Sequence, residues 1–302
     1  MKKINILLLI FSTILIELNG QTDYQFSNYM NNQLAVNPAF AGSSKDLNFS
    51  MLGRSQWFGL KNAPQSFAFN GHTILPSIGG LGLSVYRDKL GSESNTSAKI
   101  SYAYMLKIGD STNLTFGLSA GINSRSIDID RMVFENNEPI LINGGIESQI
   151  KPDFGFGVRF MWKKFDLQLS ATHLSSRFDS YDYNSIPRHF YGIASYSFRF
   201  SPNFTLTPSI FFKSNGVFNH LDINARALFQ ERFIFGVGYR LNDAILASVG
   251  MKITDNISFM YGYDFVTGTS NSLSRSNHEI VLIAKFNGFY KTLGKVDSKS
   301  SF

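Results

Sequence analysis

Residues 233–265 read FIFGVGYRLNDAILASVGMKITDNISFMYGYDF, and this stretch decides the fold. Apolar side chains occupy every second position in three runs of nine residues, with many Gly and Ser residues between them. The triplets 241–243 and 254–256, which contain Asn and Asp, separate the runs and favour turns. A period of two gives a β-strand one apolar and one polar face. The stretch therefore predicts three consecutive antiparallel strands.

The same alternation recurs along most of the chain. It is clear at 98–106, 114–122, 154–162, 165–171, 204–212, 221–229 and 280–286, and weaker at 47–57, 65–75, 80–88 and 188–200. Together with the opening stretch this predicts about fourteen strands. An even number allows an antiparallel sheet to close without leaving an unpaired edge in lipid. We therefore predict an all-β fold, an antiparallel transmembrane β-barrel of the outer membrane.

Composition, together with the placement of aromatic and polar residues, favours this barrel over a soluble β-sandwich, which would alternate in the same way. The chain is 15% aromatic, contains 25 Gly and has a mean hydropathy of −0.05, which is too polar for a bundle of membrane helices. Aromatic residues recur at the strand ends, where membrane interfaces favour them. The polar faces carry small residues and single charges such as Lys99, Arg159 and Arg240, which suit a hydrated or plugged lumen.

Outside the barrel, residues 45–288, three further segments are predicted. Residues 1–20 resemble a cleaved signal peptide, with two lysines, an apolar run and a small residue before Gln21, so we expect export to the outer membrane. Residues 21–44 lack strand alternation, are rich in Asn and Gln, and contain the turn-forming pair Asn37-Pro38. We interpret them as a plug inside the lumen. Residues 289–302 form a polar tail that we expect to be flexible.

Charge and cysteine content limit the possible functions. The formal net charge of +6 becomes 26 − 21 = +5 without the predicted signal peptide, and the basic residues are scattered. Scattered charge on an exported protein argues against a nucleic-acid partner. The chain contains no Cys, which excludes disulfides and thiolate metal sites.

Candidate catalytic groups are weak. Residues 117–121 match the G-x-S-x-G nucleophile elbow, but that motif requires a strand-to-helix turn, and here it stands inside an alternating strand. A barrel hydrolase would lose activity on Ser119→Ala, and we expect no such activity. The five His residues are separated in sequence, and the neighbours His278 and Glu279 should point to opposite faces of a strand. We expect no enzyme activity, catalytic residue, metal site or cofactor.

Several short motifs are shared, in order, with a known family. They comprise QFSNYM at 25–30, NPAFAG at 37–42, RSQWFG at 54–59 with a following Ala-Pro, GLGL at 80–83 with a later Asp, YGYDF at 261–265 and NHEI at 277–280. Over residues 25–286 the chain resembles the PorP/SprF family of type IX secretion system membrane proteins. Asn277 departs from the family pattern, which usually has Gly or Ser before His-Glu. The candidate site residues are Gln25, Phe26, Tyr29, Asn37, Pro38, Gly42, Arg54, Gln56, Trp57, Pro64, Asp88, Tyr263, Asp264, His278 and Glu279.

The resemblance implies a function in secretion. Members are outer-membrane barrels of Bacteroidota that support type IX export, gliding motility or the surface anchoring of exported adhesins. The implied partners are outer-membrane lipid, an exported adhesin or its C-terminal domain, and periplasmic ring lipoproteins of the type IX system. Two roles stay open for the motif residues, a structural one and direct partner contact. The alternative function is an outer-membrane porin or transporter that passes small solutes through a polar lumen.

Overall fold

The structure is a computed structural model that describes residues 25–131, 145–176, 186–268 and 276–287. The predicted signal peptide at 1–20 and the tail at 289–302 lie outside the described residues, so both stay predictions. The predicted domain bounds also stay predictions, although the described strands begin at Leu47 and end at Phe286.

Fourteen strands form the wall. They are β1 Leu47–Ser55, β2 Gln65–Leu75, β3 Gly79–Leu90, β4 Glu93–Gly109, β5 Thr112–Asp128, β6 Ile146–Trp162, β7 Phe165–Thr172, β8 His189–Tyr196 with its continuation Phe198–Ser201, β9 Phe204–Ser214, β10 Asn219–Phe229, β11 Phe233–Arg240, β12 Ala244–Lys252, β13 Ile257–Val266 and β14 Ser276–Phe286. Both parts of β8 pair with β9, so we count them as one strand interrupted at Ser197.

Helical structure is confined to short segments. The helix α1 spans Gln33–Val36, and 3-10 turns span Tyr29–Asn31, Pro38–Phe40 and Ile129–Arg131. Across the described ranges, no helix has the length and apolar character needed to cross a membrane.

The sheet closes on itself. Each strand pairs antiparallel with the next, and β1 pairs with β14 from Leu47 opposite Phe286 to Ser55 opposite His278. This pairing confirms the predicted closed barrel of fourteen strands.

The two faces of the wall are as the alternation predicts. In β5, Leu118 and Ile122 are 60% and 53% exposed and face outward, whereas Thr115 and Ser119 are buried and face inward. Apolar side chains therefore face lipid and polar side chains face the lumen, the reverse of a soluble sandwich.

The two ends of the barrel differ. Connections after even-numbered strands contain two to four residues, and the wall also begins and finishes at this end, which we call the short-turn end. The opposite, long-connection end carries 56–64, 129–145, 173–188 and 267–275, together with three shorter connections. Short turns of outer-membrane barrels lie on the periplasmic side, so the long-connection end faces the cell exterior. The predicted turn at 241–243 belongs to this outer end.

The lack of clear apolar alternation at 124–151 predicts a long loop there, and the structure shows that this prediction is wrong in part. Strand β5 continues to Asp128 and β6 already begins at Ile146, and residues 123–128 pair with 146–151. This part of the hairpin carries polar residues such as Ser124 and Ser126 on its outer face. Beyond the lipid neither face must be apolar, so the strand continues without the apolar alternation that identifies it in sequence.

Candidate functional site

The fold brings together three motif residues that are far apart in the sequence. Arg54 in β1, Asp264 in β13 and Glu279 in β14 face inward near the long-connection end. Arg54 Nη2 lies 2.6 Å from Asp264 Oδ2, and Arg54 Nη1 lies 3.1 Å from Glu279 Oε2. All three side chains are 1% exposed. We call this group, with the second arginine below, the lumen ion network.

A second arginine completes the network. Arg240 Nη2 lies 3.1 Å from Asp222 Oδ2, and Arg240 Nη1 lies 3.4 Å from Asp243 Oδ2. The same Nη1 lies 3.7 Å from Asp264, which links the two halves. Asp222 and Arg240 were not among the candidate site residues. The available signal was their inward position in alternating strands, where a charge needs a partner.

The N-terminal segment, residues 25–44, inserts a hydroxyl between the two arginines. Ser27 Oγ accepts hydrogen bonds from Arg54 Nη1 at 2.7 Å and from Arg240 Nη2 at 3.2 Å. The same hydroxyl donates to Asp264 Oδ2 at 2.7 Å. Ser27 therefore joins both halves of the network, and its sequence context contained no signal for that role.

Backbone groups of the segment bind the remaining carboxylate. The amides of Ser27 and Asn28 donate to Glu279 at 2.8 Å and 2.9 Å. Charge-assisted bonds of this kind are stronger than neutral ones. Glu279 therefore couples the start of the segment to β14.

Tyr29 attaches the segment to another part of the wall, at β9. Its hydroxyl lies 2.7 Å from Ser209 Oγ, and its ring stacks on Phe211 with centroids 4.6 Å apart.

Glycines of the wall make room for the rest of the segment. A Cβ atom on Gly117 would overlap the backbone of Pro38 and Ala39, and one on Gly157 would overlap the Asn37 side chain. At Gly42, which has a φ of +67°, a Cβ would overlap Gly80. The G-x-S-x-G match is thus part of a strand wall against which the segment packs, which confirms the structural interpretation of that motif.

Polar contacts fix the same region. Asn37 Oδ1 accepts from the Ala39 amide at 2.9 Å, and its Nδ2 donates to the Val158 carbonyl at 3.3 Å. Ser170 Oγ donates to the Val36 carbonyl at 2.6 Å. Between Ser27 and Gly42 the segment thus contacts strands on several sides of the barrel.

Two more motif residues of the segment and one of β3 are interior. Gln25 and Phe26 are buried, and Phe26 packs against Leu52 and Met260. Asp88 accepts a hydrogen bond of 2.5 Å from Ser66 Oγ.

The remaining motif residues lie at the rim of the long-connection end. Trp57 has a φ of +48°, which is unusual for a bulky residue, and its amide donates to Asn277 Oδ1 at 3.0 Å. His278 faces outward, with Nδ1 2.6 Å from the Tyr261 hydroxyl and its ring 5.3 Å from that of Tyr263.

Two further pairs of motif residues are neighbours in the structure, Gln56 with Pro64 and Glu279 with His278. The backbone N–H of Gln56 donates a hydrogen bond to the carbonyl oxygen of buried Pro64 at 2.9 Å. Glu279 points inward while its neighbour His278 points outward, which confirms the predicted opposite orientation of the two side chains.

A second polar cluster was missed by sequence reasoning. Asp153 Oδ2 lies 2.8 Å from Lys99 Nζ and 2.9 Å from His173 Nδ1, and the His173 and His189 rings are 5.8 Å apart. In the sheet, Gly121 stands between Lys99 and Asp153, and its missing side chain leaves room for their contact. Within the described ranges, no three His, Asp or Glu residues form a group that could hold a metal ion.

Comparison with known protein families identifies the family to which the chain is related. The family described as "Type IX secretion system membrane protein PorP/SprF" matches residues 18–283. The chain belongs to this family. As a PorP/SprF protein, this barrel is a membrane component of the type IX secretion system.

One solved structure supports the fold of this PorP/SprF protein, and a second is reported for comparison. The toluene transporter TbuX of Ralstonia pickettii is 11% identical, with a TM-score of 0.50 over 85% of this chain and 94% of its own. The Acinetobacter baumannii outer membrane protein Omp33 is also 11% identical, with a TM-score of 0.47 over 80% and 98%. At such identity the likeness concerns the barrel fold alone. Among curated proteins no match was found.

Proposed function

We propose that this barrel supports the export or surface anchoring of secreted adhesins by the type IX system, including adhesins used in gliding motility. Family membership supports the secretion role. The observation that carries the proposal is the N-terminal segment, which binds the lumen ion network at Ser27 and packs on wall glycines near Pro38. If this segment acts as a plug, as we propose, the protein would serve as a docking scaffold and not as an open channel.

The two ends would then serve different partners. The long-connection end would bind the exported adhesin or its C-terminal domain, and the exposed ring of Phe58 at its rim is a candidate contact. The short-turn end and the basic tail would face the periplasmic ring lipoproteins. The buried motif residues Arg54, Asp264 and Glu279 would act indirectly by holding the plug.

Deletion of the gene tests this role. Surface and medium proteins of the mutant, of the parent and of a complemented strain would be compared by mass spectrometry. We expect loss of one large adhesin or of a small exported set, restored by the complementing gene. Loss of most type IX substrates would instead indicate a core export role. An unchanged set would refute the proposal.

The polar lumen makes a porin the second candidate. Planar-bilayer recording of the purified full chain separates the two functions. A plugged scaffold should give no steady conductance, whereas a variant with a loosened plug, Arg54→Met, should give flickering openings. Steady conductance from the unmodified protein would favour the porin.

A further inference from the structure

The outer wall of the barrel carries one pair of cations. Among the Lys and Arg residues of the described strands, Arg87 and Lys89 are the two at outward positions, because Ser84 and Tyr86 of the same strand face inward. Both side chains are exposed. Two residues apart on one face, they are separated by roughly 7 Å along the strand.

Neither cation is neutralised by a carboxylate of the residues that the structure describes. Within the described ranges, Arg87 and Lys89 form no ion pair, and neither does the exposed Lys61 of the adjoining loop. The neighbouring carboxylates face the lumen, where Asp88 accepts from Ser66 and Glu93 pairs with Arg125 at 2.8 Å.

The pair lies directly above the apolar surface of the wall. Leu83, four residues before Arg87 on the same face, is 42% exposed, and Phe67 beside Arg87 on β2 is 46% exposed. Next to Lys89 stands Gln65 instead of an apolar residue. The change from apolar to charged therefore occurs at Arg87, and it occurs near the long-connection end of β3.

Loop 56–64 adds a third positive charge at this height. The Gly91 amide donates to the Asn62 carbonyl at 3.2 Å, which holds the loop beside the turn that follows Lys89. Lys61 precedes Asn62 and is exposed. Lys61 therefore belongs to a loop that is attached beside the turn after the cation pair.

We propose that Arg87 and Lys89, assisted by Lys61, bind the phosphate of a phosphorylated glycolipid (lipid A) in the outer leaflet. Arginine and lysine are the usual phosphate ligands, and Arg87 can bind two phosphate oxygens at once. Acyl chains of the same lipid would pack on Leu83 and Phe67. The inference does not depend on the proposed role in secretion.

Position favours a lipid over a protein loop or free phosphate. The two side chains project sideways from the wall, at the boundary of the lipid-facing surface, and not upward into the solvent above the barrel. At that height a membrane protein meets lipid headgroups, whose phosphates attract nearby cations. The apolar surface below continues without interruption into the site.

Native mass spectrometry of the full chain in detergent tests the site, with purified lipid A as the probe. The double variant Arg87→Gln/Lys89→Gln should weaken lipid A binding by about tenfold or more, which corresponds to the loss of two charge-assisted contacts. The matched control Lys163→Gln/Lys164→Gln removes two exposed cations from the short-turn end and should change binding by less than about twofold.

Three outcomes would overturn the proposal. They are an equal loss in both double variants, equal binding of lipid A from which the phosphates have been removed, and binding of inorganic phosphate without binding of lipid A. The first would indicate net charge alone, and the last a soluble anion. Circular dichroism verifies folding, and if the double variant fails to fold, the single variants Arg87→Gln and Lys89→Gln should each weaken binding by about threefold.

Discussion

Replacing Arg54 by Met removes the cation that two buried carboxylates share. Asp264 and Glu279 would stay 1% exposed but lose their contacts of 2.6 Å and 3.1 Å. Arg240, at 3.7 Å from Asp264, compensates in part for one of them. Breaking a buried ion pair by removing one partner costs about 3–5 kcal/mol, because the remaining charge is left without its partner in a poorly solvated place.

The assay is the free energy of unfolding of the barrel in lipid vesicles, measured with urea. We expect Arg54→Met to lower it by about 3–5 kcal/mol. The matched control is Arg199→Met, because Arg199 pairs with Glu231 at 3.6 Å while both side chains are more than half exposed. Such a surface pair contributes about 0–1 kcal/mol.

The result that contradicts this reasoning is an Arg54→Met effect no larger than that of the control. The additional substitution Glu279→Gln provides a second check, because it removes a charge that Arg54→Met leaves unpaired. It should recover part of the lost stability when combined with Arg54→Met, although Glu279 also accepts two backbone amides. Full additivity of the two losses would show that the residues do not interact.

Two further predictions concern the N-terminal segment. Gly117→Ala should destabilise the barrel by about 1–3 kcal/mol in the same urea assay, since the new methyl group meets backbone atoms of Ala39 that cannot rotate away. In the control Gly192→Ala, the methyl group meets side-chain atoms no closer than 3.7 Å, and stability should change by less than about 1 kcal/mol. Equal effects of the two substitutions would refute the close packing at Gly117. The chain has no native Cys, so the double variant Asn32→Cys/Asn70→Cys would carry two thiols alone. A short thiol cross-linker should join them, as seen on gels, because the two Asn side chains are hydrogen-bonded. Absence of the cross-link in folded protein would refute a segment that lies inside the barrel.

The sequence motifs predicted the family of the chain but not the contacts of the motif residues. The order of the motifs indicated the family. The ion network, however, also depends on Asp222, which lies outside every motif, and on Ser27, whose contacts its motif did not indicate. Likewise, the G-x-S-x-G match acquired a meaning only when Gly117 was found against the backbone of Ala39. A short motif identifies positions that family members share, but it does not indicate which residues those positions contact.

The second polar cluster gives the same lesson for histidines. His173 and His189 are sixteen positions apart, and sequence spacing suggested no relation between them. The hairpin of β7 and β8 places their rings 5.8 Å apart. Spacing rules for paired side chains apply within one element, and they do not describe contacts between elements.

The sequence by itself determined the strands, their two faces and their approximate number. Those properties follow from a local rule, since successive side chains of any extended backbone point to opposite sides. Only the tertiary structure decided which inward residues meet, for example Arg54 with Asp264, which are 210 positions apart. Such meetings depend on the register of every strand pair around the closed sheet, because a shift of one residue reverses the faces. No short window of sequence contains that information.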